Sequence, residues 1–187
     1  MVPLTQLWLP ILLSAVVVFV ASSLIHMALG YHRSDFRKVP GEEKLLETLR
    51  AIGLPPGTYH FPHCEGPKEA RSPEHVEKMK TGPLGILTIM PSGVPSMGKY
   101  LALWFLYSVV VSFFVAYLAG RTLDSNAPYL SVFRVAGTAA FLAYAMAHTH
   151  NAIWKGESWG TTIKFYFDGL VYGLLTAGVF GWLWPRG

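Results

Sequence analysis

Four long apolar stretches divide this chain, and the polar segment between the first two follows a different rhythm. A bilayer core about 30 Å thick takes roughly 20 consecutive apolar residues of helix. Residues 7–30 carry no charge, and 100–120 run uncharged between Lys99 and Arg121. Residues 130–150 contain only Arg134, near their start, and 165–184 only Asp168. The pattern predicts transmembrane helices over these four ranges. The fold class expected is an all-α membrane protein, a four-helix transmembrane bundle with a small α+β cytoplasmic loop module over 31–99. The first stretch is longer than a signal peptide's apolar core of about 7–15 residues, and no Lys or Arg precedes it, so it reads as a retained anchor.

Inside the loop the period changes to that of a water-exposed helix. Leu45, Leu46, Leu49 and Ile52 share one face against Glu42, Glu43, Lys44, Glu47 and Arg50, and Gly53 follows as a left-handed stop. Pro55-Pro56-Gly57 forces a turn, and 58–61 and 84–90 read as short strands. Ser72-Pro73-Glu74 opens a polar helix that ends before Gly82. Such a module is small for independent stability, so it is expected to dock on the bilayer surface or the bundle's inner mouth.

On the spans, small residues recur at every fourth position. One stripe is Ser108, Ser112, Ala116 and Gly120, and another Gly169, Gly173, Ala177 and Gly181. A third is Ala139, Ala143 and Ala147, with Ala136 and Ala140 beside it. Lipid tails give helices no hydrophobic reason to pair, so stripes where backbones can approach closely mark the helix-packing faces. Their first reading is packing within the bundle, and docking of a protein partner is the second.

Charge orients the bundle. Of the fifteen Lys and Arg, ten fall between Arg33 and Lys99, and Lys155 and Lys164 fall in the other connection on that side. The positive-inside rule places the large loop in the cytoplasm and both termini in the periplasm. The basic residues are intermixed with carboxylates, which excludes a nucleic-acid surface and leaves membrane lipid as the expected surrounding. Cys64 is the single cysteine, so neither an internal disulfide nor a cysteine-based zinc cage can form.

Chemistry concentrates at one depth. His26 and His32 lie at the inner end of the first span, His148 and His150 at the inner end of the third, and Asp168 a turn into the fourth. A carboxylate inside a span is costly unless it is paired or wet. Its expected partners are Lys164, four residues earlier, and His148 across the bundle. Imidazoles and a carboxylate at one depth can hold a divalent metal or relay protons, so His26, His148, His150 and Asp168 form the candidate metal set. Haem needs two facing histidines within the spans, and only His26 lies clearly inside one, so haem is not expected. His60, His63, Cys64 and His75 form a second potential ligand group, at a spacing that matches no familiar zinc motif. No catalytic triad order, HExxH, Walker loop or dinucleotide fingerprint is present, and no catalytic residue can be named.

The segments His32-Arg33-Ser34-Asp35, Gly53-Leu54-Pro55-Pro56-Gly57-Thr58-Tyr59 and Pro91-Ser92-Gly93, with the closing run Asp168 to Gly178, resemble a family of short, uncharacterised bacterial inner-membrane proteins with four transmembrane helices. The resemblance implies a multi-pass protein of the bacterial inner membrane and supplies no active-site residues. Three functions stay open. The first is a non-enzymatic accessory or scaffold protein that binds a partner through 31–99 or the small-residue stripes. The second is a small transporter or metal- and proton-binding protein, and the third a membrane enzyme with an inner-facing site.

Overall fold

A computed structural model describes residues 1–185. After a 3-10 turn at Leu4–Gln6, α1 spans Trp8–Met27, and a second 3-10 turn follows at Tyr31–Ser34. The loop then gives α2 (Glu42–Ile52), β1 (Gly57–Phe61), α3 (Pro67–Ala70), α4 (Pro73–Thr81) and β2 (Gly85–Ile89). The chain returns as α5 (Met97–Thr122), α6 (Tyr129–Ala145), α7 (Ala147–Lys155) and α8 (Trp159–Trp182). Among the described residues, four helices are long and apolar enough to cross a membrane: α1, α5, the α6–α7 rod and α8. The protein is thus an all-α, multi-pass membrane protein with one small two-stranded sheet.

α5, the α6–α7 rod and α8 run longer than the apolar stretches alone suggest, whereas α1 stops at Met27, short of the end expected at residue 30. α5 begins at Ser96, whose side chain accepts from Lys99 N–H, and α8 begins at Ser158, which caps Gly160 and Thr161. Serine caps satisfy amide donors that the first turn leaves free, so the helices start at the cap rather than where charge ends.

Residues 1–36 and 96–187 form one compact unit. Within it α1 packs on α5, α5 on α6, α6 on α8 and α8 on α1, closing a ring of four. The tightest seam joins α6 to α8, and glycine makes it. A Cβ on Gly169 would lie 2.6 Å from the Ala145 Cβ, so only a bare backbone fits there. Gly173 lies against Gly137 and Phe141, and Gly181 against the Tyr129 ring. Gly169, Gly173, Ala177 and Gly181 are all buried, as are Ser108, Ser112, Ala116 and Gly120 on α5. Gly120 meets the chain start, where Val2 N–H donates to its carbonyl at 2.8 Å. On α6 the residues that meet the α8 seam are Gly137, Phe141 and Ala145; Ala136 and Ala140 are fully buried, and Ala139 and Ala143 pack against the core. Ala143 and Ala147 also line a cavity. With lipid as solvent, such seams hold by dispersion between closely approaching backbones.

α6 and α7 are interrupted at Met146, where Thr149 N–H reaches back only three residues to the Met146 carbonyl. The break falls one residue after the Ala145–Gly169 contact and turns His148 toward α8.

Residues 37–95 form the second compact unit. β1 and β2 pair antiparallel, with Gly57 opposite Ile89 and Tyr59 opposite Leu87. α2 stops at Gly53, which takes the left-handed conformation at φ 70°. Ser72 caps α4 by accepting from His75 N–H. α2 buries none of its residues.

Candidate functional site

At the end of the bundle where α1 stops and α5 starts, polar groups from three segments meet. Asp168 on α8 is buried, its side chain 2% exposed. The turn after α1 begins at Gly30, left-handed at φ 64°, which swings Tyr31 and His32 over α8. The Tyr31 hydroxyl donates to Asp168 Oδ1, and His32 Nε2 lies 2.8 Å from Asp168 Oδ2. Two partners on a buried carboxylate offset a desolvation that the membrane interior makes severe.

His32 is held from both sides. Its Nδ1 is 2.5 Å from Asp35 Oδ2. Asp35 in turn accepts from Lys164 Nζ at 2.6 Å and from the Thr161 hydroxyl at 3.4 Å. Lys164 also donates to the Tyr31 carbonyl and to Ser34 Oγ. Lys164 therefore does not pair with Asp168, as its spacing suggests. The Lys164 side chain, 25% exposed, turns to Asp35, itself 5% exposed, while Asp168 turns into the bundle. Burial alone would raise the Asp35 carboxyl, but hydrogen bonds from Lys164 and His32 outweigh it and hold the group below the ordinary carboxylate range. Burial, and then the bond to Asp168, push the Tyr31 phenol above its ordinary value, so it stays a neutral donor.

His26 completes the group. Its Nδ1 lies 3.0 Å from the Ser22 carbonyl, which can only accept, so Nδ1 carries the hydrogen. In the neutral ring Nε2 then presents a lone pair, 3.9 Å from Asp168 Oδ2. The rings of His26 and His32 stack at 4.4 Å, 7° from parallel. One ligand atom each from His26, His32 and Asp168 lies within 4.8 Å of the others.

His26 and Asp168 border a cavity of about 670 Å³ lined by all four spans, and His32 lies outside the lining. His148 lines it too and stacks face to face on Phe165 at 3.9 Å. Of the candidate metal set, the fold brings His26 and Asp168 together and sets His148 in the same cavity. His150 is exposed and lies outside the lining. His32 takes the place in the three-residue group. Its signal was the pair His32 and Asp35, an imidazole and a carboxylate three residues apart in a turn. Tyr31 carried no signal, because a tyrosine after a span reads first as an interfacial anchor. In the loop, His60 Nδ1 donates to the Pro62 carbonyl, and His60, Cys64 and His75 share a shallow hollow. They form no metal-sized group among the described residues.

No protein-family model matches the chain, and neither a curated protein nor a solved structure matches it. The functional reading rests on the geometry of this site alone.

Proposed function

We propose that this is a bacterial inner-membrane protein, with periplasmic termini and a cytoplasmic loop, that binds a divalent cation at His26, His32 and Asp168. One observation carries the reading: three ligand atoms from α1, the following turn and α8 converge within 4.8 Å. Ligand atoms arranged tetrahedrally around one ion at bonds of about 2 Å lie roughly 3.3 Å from each other, so the widest pair closes by roughly 1.5 Å on binding. Opening the stacked rings supplies that movement, and His26, 43% exposed, is free to make it.

The surrounding bonds are those a metal site uses. His26 Nδ1–H on the Ser22 carbonyl fixes the tautomer with Nε2 available. Loss of the Nε2 proton of His32 to a metal leaves its Nδ1 bonded to Asp35, the carboxylate–histidine–metal arrangement that orients such ligands. Two imidazoles and a carboxylate suit Zn²⁺ or a neighbouring first-row ion, with a further position open to the cavity.

Metal analysis of the detergent-purified chain tests this. Wild type should retain stoichiometric metal after dialysis, Asp168→Asn and His26→Gln should lose it, and His150→Gln should keep it. Wild-type metal content in Asp168→Asn would overturn the reading.

A partner-binding loop is the second reading, supported by α2, where Leu45, Leu46 and Ile52 are 37–60% exposed. Deleting 40–90 should then remove a co-purifying partner, and unchanged recovery counts against it.

A further inference from the structure

Charge at one end of the cavity and the bonding of its walls together define what it can take in. The inference rests on the cation proposed at His26, His32 and Asp168. With both imidazoles neutral, Asp168 offsets half the charge of a divalent ion. Asp35 and Lys164, 2.6 Å apart, cancel each other behind His32. A net positive charge is left at a depth where an unpaired charge is costly. His26 and Asp168 line the cavity and His32 does not. The ion is therefore backed by the turn that carries His32, and its remaining coordination position faces the cavity.

Elsewhere the wall has spent its donors on the protein itself. Trp104 Nε1 donates to Ser22 Oγ at 2.7 Å, Ser22 and Ser23 donate to the Phe19 carbonyl, and the Tyr107 hydroxyl donates to the Ala143 carbonyl at 2.9 Å. The Tyr144 and Tyr172 hydroxyl oxygens are sealed inside the protein, so these two residues offer the cavity only their rings. His148 stands at the cation end, across the Phe165 ring from His32. Polar recognition is thus confined to one end, and the remaining surface is aliphatic and aromatic. The volume of about 670 Å³ falls within the range of roughly 300–1,000 Å³ usual for ligand pockets. Met27, Met97, Leu101 and Tyr107 of the lining are also exposed, where a spanning helix meets acyl chains. We propose that the cavity binds a long-chain fatty acid whose carboxylate takes the ion's remaining position and neutralises its charge. Carboxylate oxygen is an ordinary ligand for such an ion, and it needs no further donor. A phospholipid carries an anionic head too, but its glycerol esters would meet walls with no donor left for them.

Cobalt(II), loaded into the detergent-purified full-length chain, tests this through its visible absorption bands. The probes are hexanoate, octanoate, decanoate, methyl decanoate and dioctanoyl phosphatidylglycerol. Decanoate should shift the cobalt bands, and each methylene added from hexanoate upward should tighten binding about four-fold. Leu101→Trp and Ala143→Phe, which add bulk to the apolar wall, should each weaken decanoate binding about ten-fold or more and keep the wild-type metal content. The melting temperature of each variant without ligand confirms that it folds. Unmoved cobalt bands, no gain in affinity along the series, or wild-type decanoate affinity in both variants would each overturn the proposal. So would methyl decanoate or the phospholipid binding as tightly as decanoate, or decanoate binding equally well to the metal-free chain. Metal retained without decanoate binding sinks this inference alone. A chain that holds no metal sinks the cation reading, and this inference with it.

Discussion

Asp35 shows how one residue can govern a site it does not line. It holds His32 from behind and is itself held by Lys164 and Thr161. Replacing it with Asn removes the acceptor that orients His32, and loss of such an outer partner typically costs about 10–100-fold in metal affinity. Calorimetric titration of Asp35→Asn with Zn²⁺ should show a drop of that size, and wild-type affinity would remove Asp35 from the site. Its carboxyl also sets a pH dependence. A carboxyl lowered in the fold stabilises it above the unfolded value of about 3.9, and this is lost as pH falls through the lower folded value. The melting temperature of wild type should therefore hold from pH 7 to about pH 5 and fall below about pH 4, whereas Asp35→Asn should start lower and fall less. The sequence made Asp168 conspicuous because a lone carboxylate in an apolar run is expensive. Asp35 left only a faint trace, its spacing of three from His32, and Tyr31 left none, because both lie in a polar turn where such residues are ordinary. Only the left-handed Gly30 brings that turn over α8.

Between elements, the α6–α8 seam decides whether the site exists, because Gly169 adjoins Asp168 and faces Ala145. A methyl at 169 would meet the Ala145 Cβ at 2.6 Å and push the helices apart. Overpacking of this kind costs about 1–3 kcal/mol. Gly169→Ala should lower the melting temperature and reduce metal content, because Asp168 moves with the strained turn. Ala145→Gly in the same chain should restore much of both, and a double-mutant cycle would then give a coupling of opposite sign to the single losses. Additive losses would show that the two residues do not clash. The fourfold stripe on α8 was legible because only small residues permit such closeness. The matching face on α6 was not, since alanines occupy several of its faces and composition alone does not rank them. Phe141 belongs to that face despite its size, and Ala143 and Ala147 were left to line the cavity.

At the scale of the whole molecule, the proposed cation ligands, their supporting residues and the cavity all lie in the unit formed by residues 1–36 and 96–187. The site sits at the end of the bundle where α1 ends and α5 begins, and the proposed orientation, drawn from the distribution of Lys and Arg, has that end face the cytoplasm. Cys64, the single thiol and partly exposed, is a native reporter for this assignment. A membrane-impermeant maleimide should leave Cys64 unlabelled in intact spheroplasts and label it in inverted vesicles. A Cys64→Ser/Ser125→Cys chain should give the opposite pattern, since Ser125 lies in the turn between α5 and α6 at the other end of the bundle. Labelling of Cys64 from the spheroplast exterior would turn the protein over. The cation site would then draw on the periplasmic metal pool, with the ligand geometry unchanged.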